Sequence, residues 1–152
     1  MSSRAARVLG GAAAGLVATA AMSAHMIGDP SRRQIGAPPP RRIADALLPR
    51  EEEPTRRAAA VLLHLAIGAA GGSVYAAGRR RHGALSGAAF GLAVWAVGYQ
   101  LAVPVLGVLP PAHRDEPERR RALVRAHLIY GAVLGLLAPE TTAGRRRRGA
   151  GC

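Results

Sequence analysis

Four long runs in this chain lack acidic residues and nearly lack basic ones, and arginines cluster at their ends. The runs cover residues 8–27, 58–78, 84–103 and 122–138. A hydrocarbon core about 30 Å thick takes about 20 helical residues at about 1.5 Å each. The first three runs meet that length. Helices of a soluble bundle keep one polar face, whereas these three runs are apolar or small all round. The pattern predicts an all-α integral membrane protein, a four-helix bundle. A basic segment (1–7) would precede the four-span domain (8–138), and a basic tail (139–152) would follow it.

The runs differ in strength. Run one follows Arg4 and Arg7 and stops at Asp29-Pro30. A basic start, an apolar stretch and small residues near Ala18-Thr19-Ala20 also describe a cleaved signal peptide. Two features favour a retained span: the stretch is long for a signal sequence, and its Gly-Ala pattern recurs later in the chain. Run two contains His64 and ends at Arg79-Arg80-Arg81. Run three carries Trp95 and Tyr99 and meets Pro104, which removes a helical N–H and kinks or ends the helix. Run four is the shortest and includes Arg125, close enough to its end to snorkel to the headgroups.

The net charge of +12 raises the question of nucleic acid. Nucleic-acid surfaces interleave basic residues with stacking aromatics. Here the aromatics are one Trp, three Tyr and one Phe, and the arginines flank apolar runs. That placement fits membrane topology and argues against a nucleic-acid partner. The lone Cys152 can form no internal disulfide. No G-x-S-x-G, H-E-x-x-H, P-loop or Rossmann fingerprint occurs, so neither an enzyme nor a bound cofactor is expected.

Orientation follows arginine placement in short loops. With four crossings, Arg4, Arg7, Arg79 to Arg81 and Arg145 to Arg148 share one side, with Glu140 as its acid. The other side holds more arginines, but they are spread over longer loops and mixed with carboxylates, among them Glu51-Glu52-Glu53 and Asp115-Glu116. Density favours both termini inside. The long loop also contains Pro38-Pro39-Pro40, and residues 43–48 read as a short amphipathic turn or helix.

The runs repeat in pairs. Residues 11–20 match residues 87–96 at six of ten positions, and residues 64–72 match residues 127–135 at five of nine. The chain therefore reads as two tandem helical hairpins. Glycines recur at helical spacing in both: Gly11 and Gly15, Gly68, Gly87 and Gly91, and Gly131. Such stripes let helix backbones approach closely, within the chain or between copies in a homo-oligomer. His25, His64 and His127 lie in or at the edge of apolar runs, toward the face carrying the long loops. Each continues its run's small-residue stripe and so should face other helices. Intramembrane imidazoles form a candidate polar site, which interhelical hydrogen bonding explains better than proton relay or metal binding does.

The first-span sequence G-A-A-A-G-L-V-A-T-A-A-M, the loop Gly36-Ala-Pro-Pro-Pro-Arg-Arg, the second-span His64 followed by glycines and the late His127-Leu-Ile-Tyr-Gly131 carry a resemblance. The arrangement resembles small bacterial inner-membrane proteins of the YagU-like type, over most of residues 8–138. The resemblance implies a bacterial multi-pass membrane protein and supplies no catalytic residues. The expected role is structural or accessory, with the lipid bilayer and a membrane-protein partner as its contacts. Proton or small-solute transport by a homo-oligomer is the alternative, and haem or metal binding through His64 and His127 is a further one.

Overall fold

The computed structural model describes residues 3–29, 36–78 and 83–139. The arginine clusters at 79–81 and 145–148, and Cys152, lie outside them. Five helices are present, α1 (Ser3–Gly28), α2 (Pro39–Leu47), α3 (Glu53–Gly78), α4 (Ala84–Val97) and α5 (Pro117–Leu137), and no strand occurs among the described residues. Prolines open three of them. Pro39, Pro54 and Pro117 sit in first turns, where a missing N–H costs nothing. Glu53 and Glu118 add negative charge at the positive ends of α3 and α5.

Three stretches are long and apolar enough to cross a membrane: Arg4–Gly28, Glu53–Gly78 and Ala84–Val105. Helix α5 is long enough, but its first turns carry Glu118, Arg119, Arg120, Arg121 and Arg125. Beyond Val97 the third stretch widens into a π segment, Gly98–Ala102, before one last turn at Val103–Val105. Pro104 is the cause. It has no N–H for the carbonyl of Gln100, and its ring crowds that carbonyl, so the turn ahead of it opens by one residue. The helix then ends at Gly107, whose φ of 66° suits a residue without a side chain.

The long helices pack first in two pairs, α1 against α3 and α4 against α5. These pairs coincide with the two halves of the sequence repeat. Helix α5 then packs against α1, and α2 lies on α3. A methyl group at Gly72 would overlap the carbonyl of Gly11, and one at Gly15 the carbonyl of Gly68. In the second pair, Gly87 and Gly131 exclude a methyl group from each other, and Gly91 excludes one because of the carbonyl of His127. Each pair is thus a glycine-to-glycine seam with backbones in contact, where Cα–H···O contacts add about 0.5–1 kcal/mol apiece.

The two seams differ in register by one turn. Gly72 nests against Gly11 and Gly15, while its sequence counterpart Gly135 nests against Gly83 and Gly87. Gly131, not Gly135, occupies the place of Gly72. Two residues account for the shift. Gly68 nests against Thr19, and the second repeat has Trp95 where Thr19 stands, too large for a backbone seam. Conversely the first repeat has Arg7 at the position of Gly83. Each pair takes the register its bulky residue permits.

The interior is small and aromatic. Ala14, Ala18, Met22, Tyr75, Ala126, Tyr130, Leu134 and Ala138 form one buried cluster, and Tyr99, Val103, Leu109, Ala112 and Leu123 form a second at the loop end. Large aliphatic side chains lie mostly outside. Val103, Leu109, Leu123 and Leu134 are buried, whereas seventeen Leu, Val and Ile residues are exposed, including Leu16, Leu62, Val74, Leu85 and Leu101.

Candidate functional site

Polar side chains inside the helices gather toward the end that carries the long loops. The widened turn at Gly98–Ala102 holds Tyr99 buried, with its hydroxyl donating to Asp115 in the following loop. The Asp115 side chain is 4% exposed. Its other oxygen accepts from the Glu116 N–H and from Arg119 Nη1, both at 2.8 Å. Burial pushes the Asp115 carboxyl up. The hydrogen bonds from Tyr99 and the Glu116 N–H, with the Arg119 charge, outweigh that effect and hold it below the usual carboxylate range. Trp95 stacks at a tilt on Tyr99, 6.2 Å between ring centres, and its indole N–H is enclosed without a hydrogen-bond partner among the described residues.

The three histidines stand in unequal relation. His64 on α3 and His127 on α5 are both half-buried. His127 Nδ1 sits 2.8 Å from the Leu123 carbonyl one turn earlier, so it carries the proton and donates, and Nε2 is the acceptor. His25 is half-buried near the end of α1, and its Nε2 is enclosed without a hydrogen-bond partner. No hydrogen bond joins any two of the three histidines among the described residues. Among the described residues, no three His, Cys, Asp or Glu side chains converge as a metal site.

Deeper in the helices, hydroxyl groups satisfy backbone carbonyls. Thr19, fully buried, donates to the Gly15 carbonyl at 2.8 Å. Tyr130 reaches from α5 to the Gly68 carbonyl of α3 at 2.8 Å, filling the space that Gly71 leaves open. The Tyr75 hydroxyl meets Ser86 Oγ at 2.7 Å, linking α3 to α4, and Ser73 donates to the Val8 carbonyl. Tyr75 also packs its ring on Phe90. Of these, the Tyr130–Gly68 and Tyr75–Ser86 bonds tie one hairpin to the other where glycine seams do not.

At the surface of the loop end, charges pair. Arg41 of α2 bonds both Asp45 and Glu53, and Arg56 and Arg57 close on Glu53. Arg125 pairs at 3.0 Å with Asp29, whose side chain is 6% exposed. The expectation that Arg125 snorkels thus acquires a definite partner, the residue that ends run one.

The sequence singled out the histidines and glycines but not Asp115, Tyr99, Asp29 or Tyr130. An Asp-x-x-x-Arg spacing marks the Asp115–Arg119 pair. No local signal marks Asp29 with Arg125, which lie 96 residues apart. Comparison with known proteins adds no relative: no family model, curated protein or solved structure matches the chain.

Proposed function

We propose that the chain is an integral membrane protein with four crossings, made of two tandem hairpins, and that its role is structural or accessory rather than enzymatic. The observation that carries this is the inverted placement of apolar side chains. Burying one large aliphatic residue is worth about 1.5–3 kcal/mol in water. Leaving seventeen exposed to water forgoes tens of kcal/mol, roughly several times the 5–15 kcal/mol by which a soluble domain is stable. In lipid the exposure of the fourteen that lie on the four runs costs nothing; Leu47, Val105 and Leu106 lie outside them. Glycine seams and interhelical hydroxyl bonds then hold the helices together, as expected where no hydrophobic drive separates helix from solvent.

Helix α5 fits this reading despite its charges. It exposes only Leu136 and Leu137 among its large aliphatics, because α4 and α1 cover it. A helix with little lipid contact needs less apolar sequence. The bacterial inner membrane is part of the same proposal and rests on the YagU-like resemblance. We place both termini in the cytoplasm, since eight carboxylates are mixed with the arginines at the loop end and leave the denser basic cluster on the other side.

Membrane fractions washed in alkaline carbonate test integration. The protein stays in the pellet and is released only by detergent. Release by the wash shows a peripheral protein and ends the proposal. Co-purification from native membranes then separates an accessory role from an autonomous one, since an accessory protein brings a stoichiometric membrane partner.

The two half-buried histidines, His64 and His127, support a second reading, proton or small-solute movement through a homo-oligomer. Vesicles reconstituted with the wild type would show a flux that His64→Ala and His127→Ala abolish. Equal leakage in all three leaves the histidines a packing role.

A further inference from the structure

Most described arginines at the loop end have a carboxylate. Arg41, Arg56 and Arg57 share Asp45 and Glu53, Arg119 has Asp115, Arg121 has Glu118, and Arg125 has Asp29. Arg42 has none within ion-pairing distance among the described residues. It is half-buried on α2, and its Nε is committed to the Ala37 carbonyl at 3.1 Å. Its Nη2 lies beside Gly36, whose φ is 71°. The point where a Cβ of residue 36 would stand lies 3.6 Å from Arg42 Nη2 and 3.9 Å from Arg119 Nη2. Guanidinium groups from α2 and α5 therefore converge on one small space beside a residue without a side chain.

Convergence of like charges is unfavourable by itself, and Asp115 neutralises only the Arg119 side. Both groups are held in place. Arg119 Nη1 is fixed on Asp115, and α2 is clamped to α3 through Arg41 and Glu53. Planar guanidinium forks fixed about a common space match the several acceptor oxygens of a phosphate. The Gly-Ala-Pro-Pro-Pro-Arg-Arg segment would then have a purpose beyond connecting two spans. Its glycine leaves the space open, and its last arginine lines it.

We propose that Gly36, Arg42 and Arg119 bind a phosphate group at the membrane surface. The group is supplied by an anionic lipid headgroup or as free phosphate. Only the lipid source rests on the membrane reading above.

The full chain in neutral detergent micelles is unfolded thermally with added phosphatidylglycerol, phosphatidylcholine or inorganic phosphate. Wild type is compared with Arg42→Gln, Arg42→Lys and Arg50→Gln, the last an exposed arginine outside the site. Phosphatidylglycerol raises the melting temperature of wild type and Arg50→Gln. Arg42→Gln needs about tenfold more lipid for the same shift, the scale of one lost charge-assisted bond. Arg42→Lys falls between them, keeping the charge and losing the fork. If inorganic phosphate gives the same Arg42-dependent shift, the phosphate group alone is the ligand; a shift with phosphatidylglycerol only assigns the lipid. The site is overturned if no additive shifts the wild type, if phosphatidylcholine acts as well as phosphatidylglycerol, if Arg42→Gln responds like wild type, or if Arg50→Gln loses as much as Arg42→Gln. An Arg42→Gln protein that resists the carbonate wash yet responds like wild type removes the site and leaves the membrane reading intact.

Discussion

Three donors reach the carboxylate of Asp115, and they explain how it stays ionised with 4% of its side chain exposed. Its depressed pKa ties stability to pH with a definite sign. An acid whose folded value lies below the unfolded value of about 3.9 contributes stability above that value. The contribution is lost as pH falls through the folded value. Thermal unfolding in detergent should give a melting temperature that is level from about pH 7 to about pH 5 and falls below about pH 4. Asp115→Asn lowers the plateau and flattens the acid limb. Tyr99→Phe removes one donor and should cost about 1–2 kcal/mol, with the acid limb moved to higher pH. An unchanged acid limb in Asp115→Asn would assign the pH dependence to other carboxylates. The Asp115–Arg119 pair was open to inspection in the sequence through its helical spacing. Tyr99 was not, because its direction depends on the π segment Gly98–Ala102 ahead of Pro104.

At the scale of helices, the glycine seams carry the packing, and glycines that meet nothing provide the control. Gly72→Ala places a methyl group on the Gly11 carbonyl and Gly87→Ala places one on the Gly131 carbonyl. Each should destabilise by about 1–3 kcal/mol, as overpacking does. Gly98→Ala meets nothing within 4 Å and has ordinary helical angles, so its melting temperature should match or slightly exceed the wild type. Equal losses at all three positions would contradict seam packing. The stripes were legible because Gly11, Gly15, Gly87, Gly91 and Gly131 recur at helical spacing. Their register was not. The repeat aligned Gly72 with Gly135, whereas the structure sets Gly131 in the place of Gly72. Thr19 against Trp95, and Arg7 against Gly83, decide that register, and these are positions where the repeats disagree. Similarity between the halves located the pairs, and the differences between them set the contact.

For the whole molecule, the inverted distribution of apolar side chains ranks above any single contact. Three stretches satisfy length and apolarity, and α5 falls short because of Glu118 and its arginines. On the proposed reading its packing against α4 and α1 accounts for the shortfall, a relation that composition along the chain does not contain. The His25–His64–His127 site was legible as three ionisable groups near one face. The helix pairing does not bring them together: His64 and His127 stand on helices of different pairs, and α1 and α3 meet through Gly11, Gly15, Gly68 and Gly72 and leave His25 beyond the seam. Thiol accessibility across the membrane decides between four crossings and three. In a Cys152→Ser background, single cysteines are introduced as Ala37→Cys, Arg80→Cys and His113→Cys, and spheroplasts are treated with an impermeant maleimide. Four crossings with the termini inside predict labelling of Ala37→Cys and His113→Cys from outside, and of Arg80→Cys only after lysis. A cysteine at the C-terminus protected like Arg80→Cys completes that pattern. Labelling of the C-terminal cysteine from outside along with His113→Cys would show that α5 does not cross, and would contradict the two-hairpin membrane fold.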